Sequence, residues 1–296
     1  MVGKNTERGI AMKRLICIAG VLVLIIGIMS GIASAQLVLY DKFEASIIDP
    51  EDWLGGLHAD SGVLTLEVSR AIKNQATLNS KALNIANRSY AYQGSNTGRR
   101  TAATRLFFPY GGSITTIQAT VLVKKIQATG CSTVNTSATE GQLRIGGAFF
   151  NASTDVPAAG DQTNDVFAYI SVSRAIDSPN AGNVLDVEGK IQICTNADCS
   201  NSNEISTVVL GTLKVNTKAK LTITWDQAGN SFVFKKGNTE VSLPYIQSDS
   251  WAPEADNGGN KRLEVIHFIA NCMSDPSIPR PMSYMDAYFD SIKVNP

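Results

Sequence analysis

The sequence predicts an all-β protein, built as a two-sheet antiparallel β-sandwich behind an N-terminal apolar leader helix. Three observations carry this reading. Beyond Gln36 almost no apolar repeat falls at helical spacing. Short runs alternate apolar and polar residues instead, the period-2 signature of strands with one buried face. Clusters of Gly, Asn, Asp and Ser separate these runs, as turns between antiparallel strands require.

The first element is the leader, residues 1–35. Met12-Lys13-Arg14 supplies a basic n-region, Leu15 to Met29 an uncharged apolar run, and Ala33-Ser34-Ala35 an A-x-A site. That is the three-part layout of a secretory signal peptide, with Met12 as the expected start and cleavage expected after Ala35. Leu15 to Ala33 is also about long enough to span a bilayer, so an uncleaved anchor is the alternative. Cys17 has no lipobox around it.

Residues 36–296 are then expected as a single sandwich domain, a size that all-β units reach. GVLTLEV places Leu64, Leu66 and Val68 on one face, and TIQATVLV does the same for Ile117, Ala119, Val121 and Val123. QLRIGGAFF, DVFAYISV and GKIQIC continue the theme. KAKLTITW aligns Leu221, Ile223 and Trp225, and the turn DQAGN leads into SFVFKKG as a hairpin. EVIHFIAN aligns Ile266, Phe268 and Ala270. The polar stretches 93–104, 129–140 and 248–261 read as loops.

Charge excludes some functions. The leader holds Lys4, Arg8, Lys13 and Arg14 against Glu7, which leaves 22 basic and 25 acidic residues beyond it. Nothing in that balance attracts a nucleic acid or an anionic membrane, so neither is expected as a partner. Four cysteines remain after the leader: Cys131, Cys194, Cys199 and Cys272. An even number in an exported chain points to two disulfides, with three possible connectivities. The C-x4-C stretch CTNADC suggests Cys194–Cys199 at a hairpin tip, leaving Cys131–Cys272 by elimination. Zinc is disfavoured because no paired C-x2-C spacing is present.

Both ends of the chain carry a further signature. YDKFEASIIDPEDW (Tyr40–Trp53) precedes HADSGVLTLEV, and AYFDSIKV lies near the C-terminus. This order resembles concanavalin A-like jelly-roll domains: laminin G-like modules, family 16 glucanases and their non-catalytic relatives. The resemblance covers the two ends, and the middle matches only as alternating strands. It implies that the first and last strands lie side by side. It also implies a structural calcium there, held by the Asp290 carboxylate and the carbonyls of Lys42 and Gly62, oxygen donors of the kind calcium takes. The alternative is an Asp290 that faces solvent or bonds a neighbouring backbone N–H. In YFDSIKV, Phe289 falls on one parity and Ile292 and Val294 on the other, which a bulge at Asp290 would produce.

The catalytic strings of these relatives are missing. The glucanase motif E-x-D-x-x-E sets three carboxylates along one strand, the first two on the same face. Here Glu254-Ala255-Asp256 runs into Asn257-Gly258-Gly259 without a third Glu. Asp186 and Glu188 form an acid pair at spacing two, read as a solvated hairpin end. Alginate lyases share the scaffold and use Arg, Gln, His and Tyr on the concave sheet. KRLEVIHF offers Arg262, Glu264 and His267, but Glu264 and His267 have opposite strand parity. His58 and His267 are the only histidines, and no G-x-S-x-G elbow occurs.

The remaining candidates are residues that contact sugars. SYAYQGSNTGRR offers Tyr90, Tyr92, Gln93 and Arg99, and SDSWAPEADNGGN offers Trp251 and Asp256. The alternative packs the tyrosines in the sandwich and uses Trp251 to pin a loop; Trp53 and Trp225 read as core. The expectation is a secreted, non-catalytic domain that binds a carbohydrate or surface polymer, located outside the cell, at its surface or in the periplasm. A divergent polysaccharide hydrolase or lyase is the first alternative, and a structural component of an extracellular assembly the second.

Overall fold

Among the described residues, alternation along the chain resolves into fifteen strands. The computed structural model describes residues 36–91, 97–131, 135–153, 158, 160–245, 260–272 and 280–295. In chain order the strands are Val38–Asp41 (β1), Leu54–Ala59 (β2), Val63–Gln75 (β3), Ser80–Ala91 (β4), Arg99–Phe107 (β5), Thr116–Thr129 (β6) and Glu140–Asn151 (β7). Asp165–Ala175 (β8), Val184–Cys194 (β9), Ser202–Lys214 (β10), Lys218–Asp226 (β11), Ser231–Lys236 (β12), Thr239–Pro244 (β13), Arg262–Ala270 (β14) and Met282–Val294 (β15) follow. The leader with its Met12 and Ala35 boundaries lies outside the described residues.

The strands form two antiparallel sheets. One has eight strands in the order β13-β12-β11-β6-β15-β4-β3, with β1 beside β15; the other has seven in the order β10-β9-β8-β7-β14-β5-β2. The expected two-sheet sandwich is therefore the observed architecture. The central strands give one parity to a shared core: Ile117, Val121, Leu221 and Ile223 from the larger sheet, and Leu143, Ile145, Val187 and Val265 from the smaller. Close approach has a sequence cause at Gly189, where a Cβ would lie 2.5 Å from the Phe234 ring. The predicted hairpin is β11–β12, paired through Asp226 and Ser231.

The N-terminal signature proves to be a packing unit. The Asp41 carboxylate accepts from the Phe43 N–H at 2.6 Å and from Trp53 Nε1 at 2.8 Å. Trp53 then packs against Tyr40, Phe43 and Phe108. β1 pairs with β15, so the first and last strands do lie side by side. The parity slip in YFDSIKV is a register shift between Asp290 and Lys293, where Ser291 takes φ 52°. Such an extra residue re-aims the strand and returns Ile292 and Val294 to the core.

Two expectations are corrected: residues 99–104, read as part of a loop, form the first part of β5. Leu64, Leu66 and Val68 do not share a buried face; all three are exposed. β3 is the last strand of its sheet, and a bulge between Thr65 and Glu67 breaks the alternation. The three N-x-S/T sequons also sit inside the fold. Asn87, Asn135 and Asn151 are buried, and each side-chain amide already donates: to Thr104, to Gly98 and Asn271, and to Thr163 and Asp165.

Two disulfides fasten the sandwich. Cys194–Cys199 closes the turn that leaves β9, and Cys131–Cys272 joins segments 141 residues apart in sequence.

Candidate functional site

The outer face of the seven-stranded sheet concentrates the charged and aromatic chemistry. Alternation on β14 sends Leu263, Val265 and Ile269 into the core and leaves Arg262, Glu264 and Phe268 on the other side. Cross-strand register then does what the sequence cannot. Arg144 of β7 stands opposite Glu264 on one flank, and Arg105 of β5 stands opposite it on the other. The same row continues through Ser171 of β8 to Glu188 of β9.

Glu264 is the hub. Its Oε2 accepts from Arg105 Nε at 3.0 Å and from Arg262 Nε at 2.9 Å, and its Oε1 lies 3.6 Å from Arg144 Nη1. Burial alone would push its carboxyl up. The Arg262, Arg105 and Arg144 guanidiniums outweigh that and hold it at about 2. Glu264 is therefore a permanent anion at physiological pH, unfit to act as a general acid. The guanidiniums also cover rings. Arg144 lies 4.2 Å from the Tyr169 centroid and 5.2 Å from that of Phe268, and Arg99 lies 4.9 Å from Phe268. Arg262 lies 5.5 Å from the Phe167 ring and 5.8 Å from the Phe107 ring. Gln142 accepts from Arg144 Nε at 2.6 Å and fixes its orientation.

Among the described residues, Glu188 and Glu264 do not have the geometry of paired-carboxylate hydrolysis. Burial raises the Glu188 carboxyl, as a general acid would need. Yet Glu188 and Glu264 are three strand steps apart, about 14 Å at the usual spacing, beyond the span of a glycosidase pair. His267 faces the other way, as its parity requires. Its Nε2 must donate to the Asn87 carbonyl at 3.0 Å, so Nδ1 accepts from the Ser283 hydroxyl at 2.7 Å. Burial pulls its pKa down to about 4, which keeps it neutral and out of reach of any ligand.

The sequence candidates scatter. Arg99 joins the face through Phe268 and through Glu140, 3.7 Å away. Tyr90 lies on the eight-stranded sheet, paired across to Leu64 and Met282, so it shares no surface with Arg99. Tyr92, Gln93, Trp251 and Asp256 lie outside the described residues. Asp186 accepts from Ser178 and Asn180 at a turn, in line with a hairpin-end role.

The calcium ligand set does not come together. Lys42 directly follows Asp41, which stands opposite Ile292, so the first strand does reach the neighbourhood of Asp290. Gly62 does not. It precedes Val63, which pairs with Ala91 at the far end of β4, whereas Phe289 pairs with Leu83 near its start. Eight residues of strand separate the two levels, about 27 Å. Asp290 instead accepts from Ser80 Oγ at 2.8 Å and Ser291 Oγ at 3.2 Å. Among the described residues, no group of three or more His, Cys, Asp or Glu could hold a metal ion.

Sequence reading missed Arg105 and Arg144. The available signal was an arginine on the polar parity of otherwise apolar strands, in TAATRLFF and QLRIGG. Their convergence on Glu264 depends on register between strands distant in sequence.

No family model and no curated protein matches the chain. Among solved structures it is similar to the catalytic domain of an endo-1,3-beta-glucanase (laminarinase) from Thermotoga petrophila RKU-1, at 11% identity, TM-score 0.38, over 88% of this chain and 98% of that one. It is also similar to a beta-1,3-glucanase from Mycobacterium marinum, at 14% identity, TM-score 0.32, over 86% and 99%. A third is the alginate lyase from Klebsiella pneumoniae, at 13% identity, TM-score 0.36, over 86% and 97%. These are the groups whose scaffold the end signatures resemble. At such scores the alignments carry no weight for activity, which has to be argued from the face itself.

Proposed function

We propose that the chain is an extracellular glycan-binding protein that takes its ligand on the outer face of the seven-stranded sheet without cleaving it. One observation carries the reading. Guanidinium forks and flat rings stand together on that face, as Arg144 over Tyr169 and Arg99 over Phe268. The rings back the guanidiniums, Arg144 capping the buried Tyr169, so the planar forks offer both a flat surface to pyranoses and directional donors to their oxygens. The two disulfides support an oxidising compartment. The test is affinity electrophoresis of the mature chain through gels containing plant, algal or bacterial polysaccharides. Retardation that Tyr169→Ala abolishes and Tyr90→Ala leaves intact supports the reading; no retardation by any polymer overturns it.

Polysaccharide cleavage is the second reading, favoured by Tyr169, whose phenol lies beside Arg144 on this face. Product release from a polymer, lost in Tyr169→Phe, would establish it.

A further inference from the structure

We propose that the ligand of this face is an anionic polysaccharide, one bearing carboxylate or sulfate groups, met by Arg105, Arg144 and Arg262. The proposal rests on the glycan-binding reading above and adds the charge of the ligand.

Three guanidiniums converge on one carboxylate, and the Glu264 side chain is only 3% exposed. Positive charge withdrawn from water is costly unless it is matched. Among the described residues the other carboxylates on the face have partners of their own, Asp165 accepting from the Asn151 amide at 2.8 Å. Glu140 stands 3.7 Å from Arg99, and Glu204 stands 2.7 Å from Lys190. Asp186 is tied into its turn by Ser178 and Asn180. Glu188 is two strand steps from Arg144, about 10 Å, and sits beside Lys190. Among the described residues, three guanidiniums at the centre of this face therefore meet one carboxylate, although the chain carries a slight acidic excess beyond the leader.

The donors needed to meet an anion are present and reachable. Glu264 engages Arg105 and Arg262 through their Nε atoms, and Arg262 Nη1 also donates to the Asn260 carbonyl at 3.4 Å. Among the described residues, neither Nη of Arg105 and no Nη2 of Arg144 or Arg262 makes a hydrogen bond. The Arg105, Arg262 and Arg144 side chains keep 21%, 15% and 11% exposure, so an anion can reach them. Glu264 and Gln142 hold the Nε sides in place, which leaves the outer edges of the forks oriented before a ligand arrives. Preorganised guanidinium edges favour carboxylate and sulfate oxygens, where two parallel N–H groups can be accepted at once.

The experiment is calorimetric titration of the mature chain with polygalacturonate, its fully methyl-esterified form, dextran sulfate and laminarin. Polygalacturonate or dextran sulfate is expected to bind at least about tenfold more tightly than the methyl ester and laminarin, and raising NaCl from about 0.05 to about 0.5 M weakens that binding by about tenfold or more. Preference between the two polyanions identifies carboxylate or sulfate as the group read. Arg105→Gln and Arg144→Gln, each checked by its melting curve, are expected to weaken the charged polymer by about tenfold and leave any binding of laminarin unchanged. Equal binding of laminarin, the methyl ester and polygalacturonate would overturn the proposal while glycan binding stood. Polyanion binding insensitive to salt and to both variants would overturn it as well. Failure of all four polymers would remove both readings.

Discussion

Arg262 and Glu264 stand two residues apart on β14, and the Arg262 Nε donates to Glu264 Oε2 at 2.9 Å along one face of the strand. Period-2 geometry makes this contact local; the Arg105 and Arg144 contacts to the same carboxylate come from neighbouring strands. A structural ion cluster and an anion-binding platform are thus built from the same residues, and they respond in opposite directions to the loss of the carboxylate.

Glu264→Gln removes the carboxylate that, among the described residues, holds the centre together, and leaves three guanidiniums facing one another. Stability is expected to fall by about 3 to 5 kcal/mol, the range for breaking a buried ion pair on one side. Binding of polygalacturonate or dextran sulfate by the folded variant is expected to tighten, because its positive excess grows. Chemical denaturation and titration of one preparation read both effects.

Acid stability has two separate windows. Burial depresses His267 from 6.5 to about 4, so the unfolded chain takes up the proton first as pH falls. Stability is full above about pH 7 and declines toward pH 4, by up to about 3 kcal/mol. Glu264, at about 2 against an ordinary 4.5, adds stability above pH 4.5 that is lost as pH falls toward 2. Urea midpoints measured from pH 8 to pH 3 are expected to show the upper decline in the wild type and to lose it in His267→Gln.

The two disulfides differ in the length of chain they close. Chain-entropy arithmetic gives about 5 kcal/mol for Cys131–Cys272 and about 2 kcal/mol for Cys194–Cys199. Cys131→Ser with Cys272→Ser is expected to lower the melting temperature by far more than Cys194→Ser with Cys199→Ser.

Chelation is expected to leave the melting temperature unchanged. The Asp290 carboxylate accepts from Ser80 and Ser291, and Gly62 lies at the other end of the sheet. A drop of several degrees in EDTA, restored by calcium, would contradict this account of Asp290.

The fold was legible because alternation, turn residues and the end signatures all pointed to one architecture. Asp41, Phe43 and Trp53 lie within thirteen residues of one another, and their local packing reproduces a pattern visible in the chain. The bulge at Asp290 was also readable, as a change of parity. The site was not. Arg105, Arg144 and Glu264 are brought together by register between β5, β14 and β7, which no local pattern encodes. Tyr90 and Arg99, near neighbours in sequence, end on different sheets because the chain crosses the sandwich between β4 and β5. Leu66 misled for a related reason, since a one-residue bulge on an edge strand reverses which face the pattern assigns.

The central claim is that ligand lies on the outer face of the seven-stranded sheet. Amide hydrogen exchange with and without a saturating polymer tests it most directly, using whichever of the four polymers binds. The account predicts slowed exchange in β5, β7, β8 and β14 and no change in β4 and β15. Protection centred on β4 and β15, around Tyr90 and Tyr284, would contradict it.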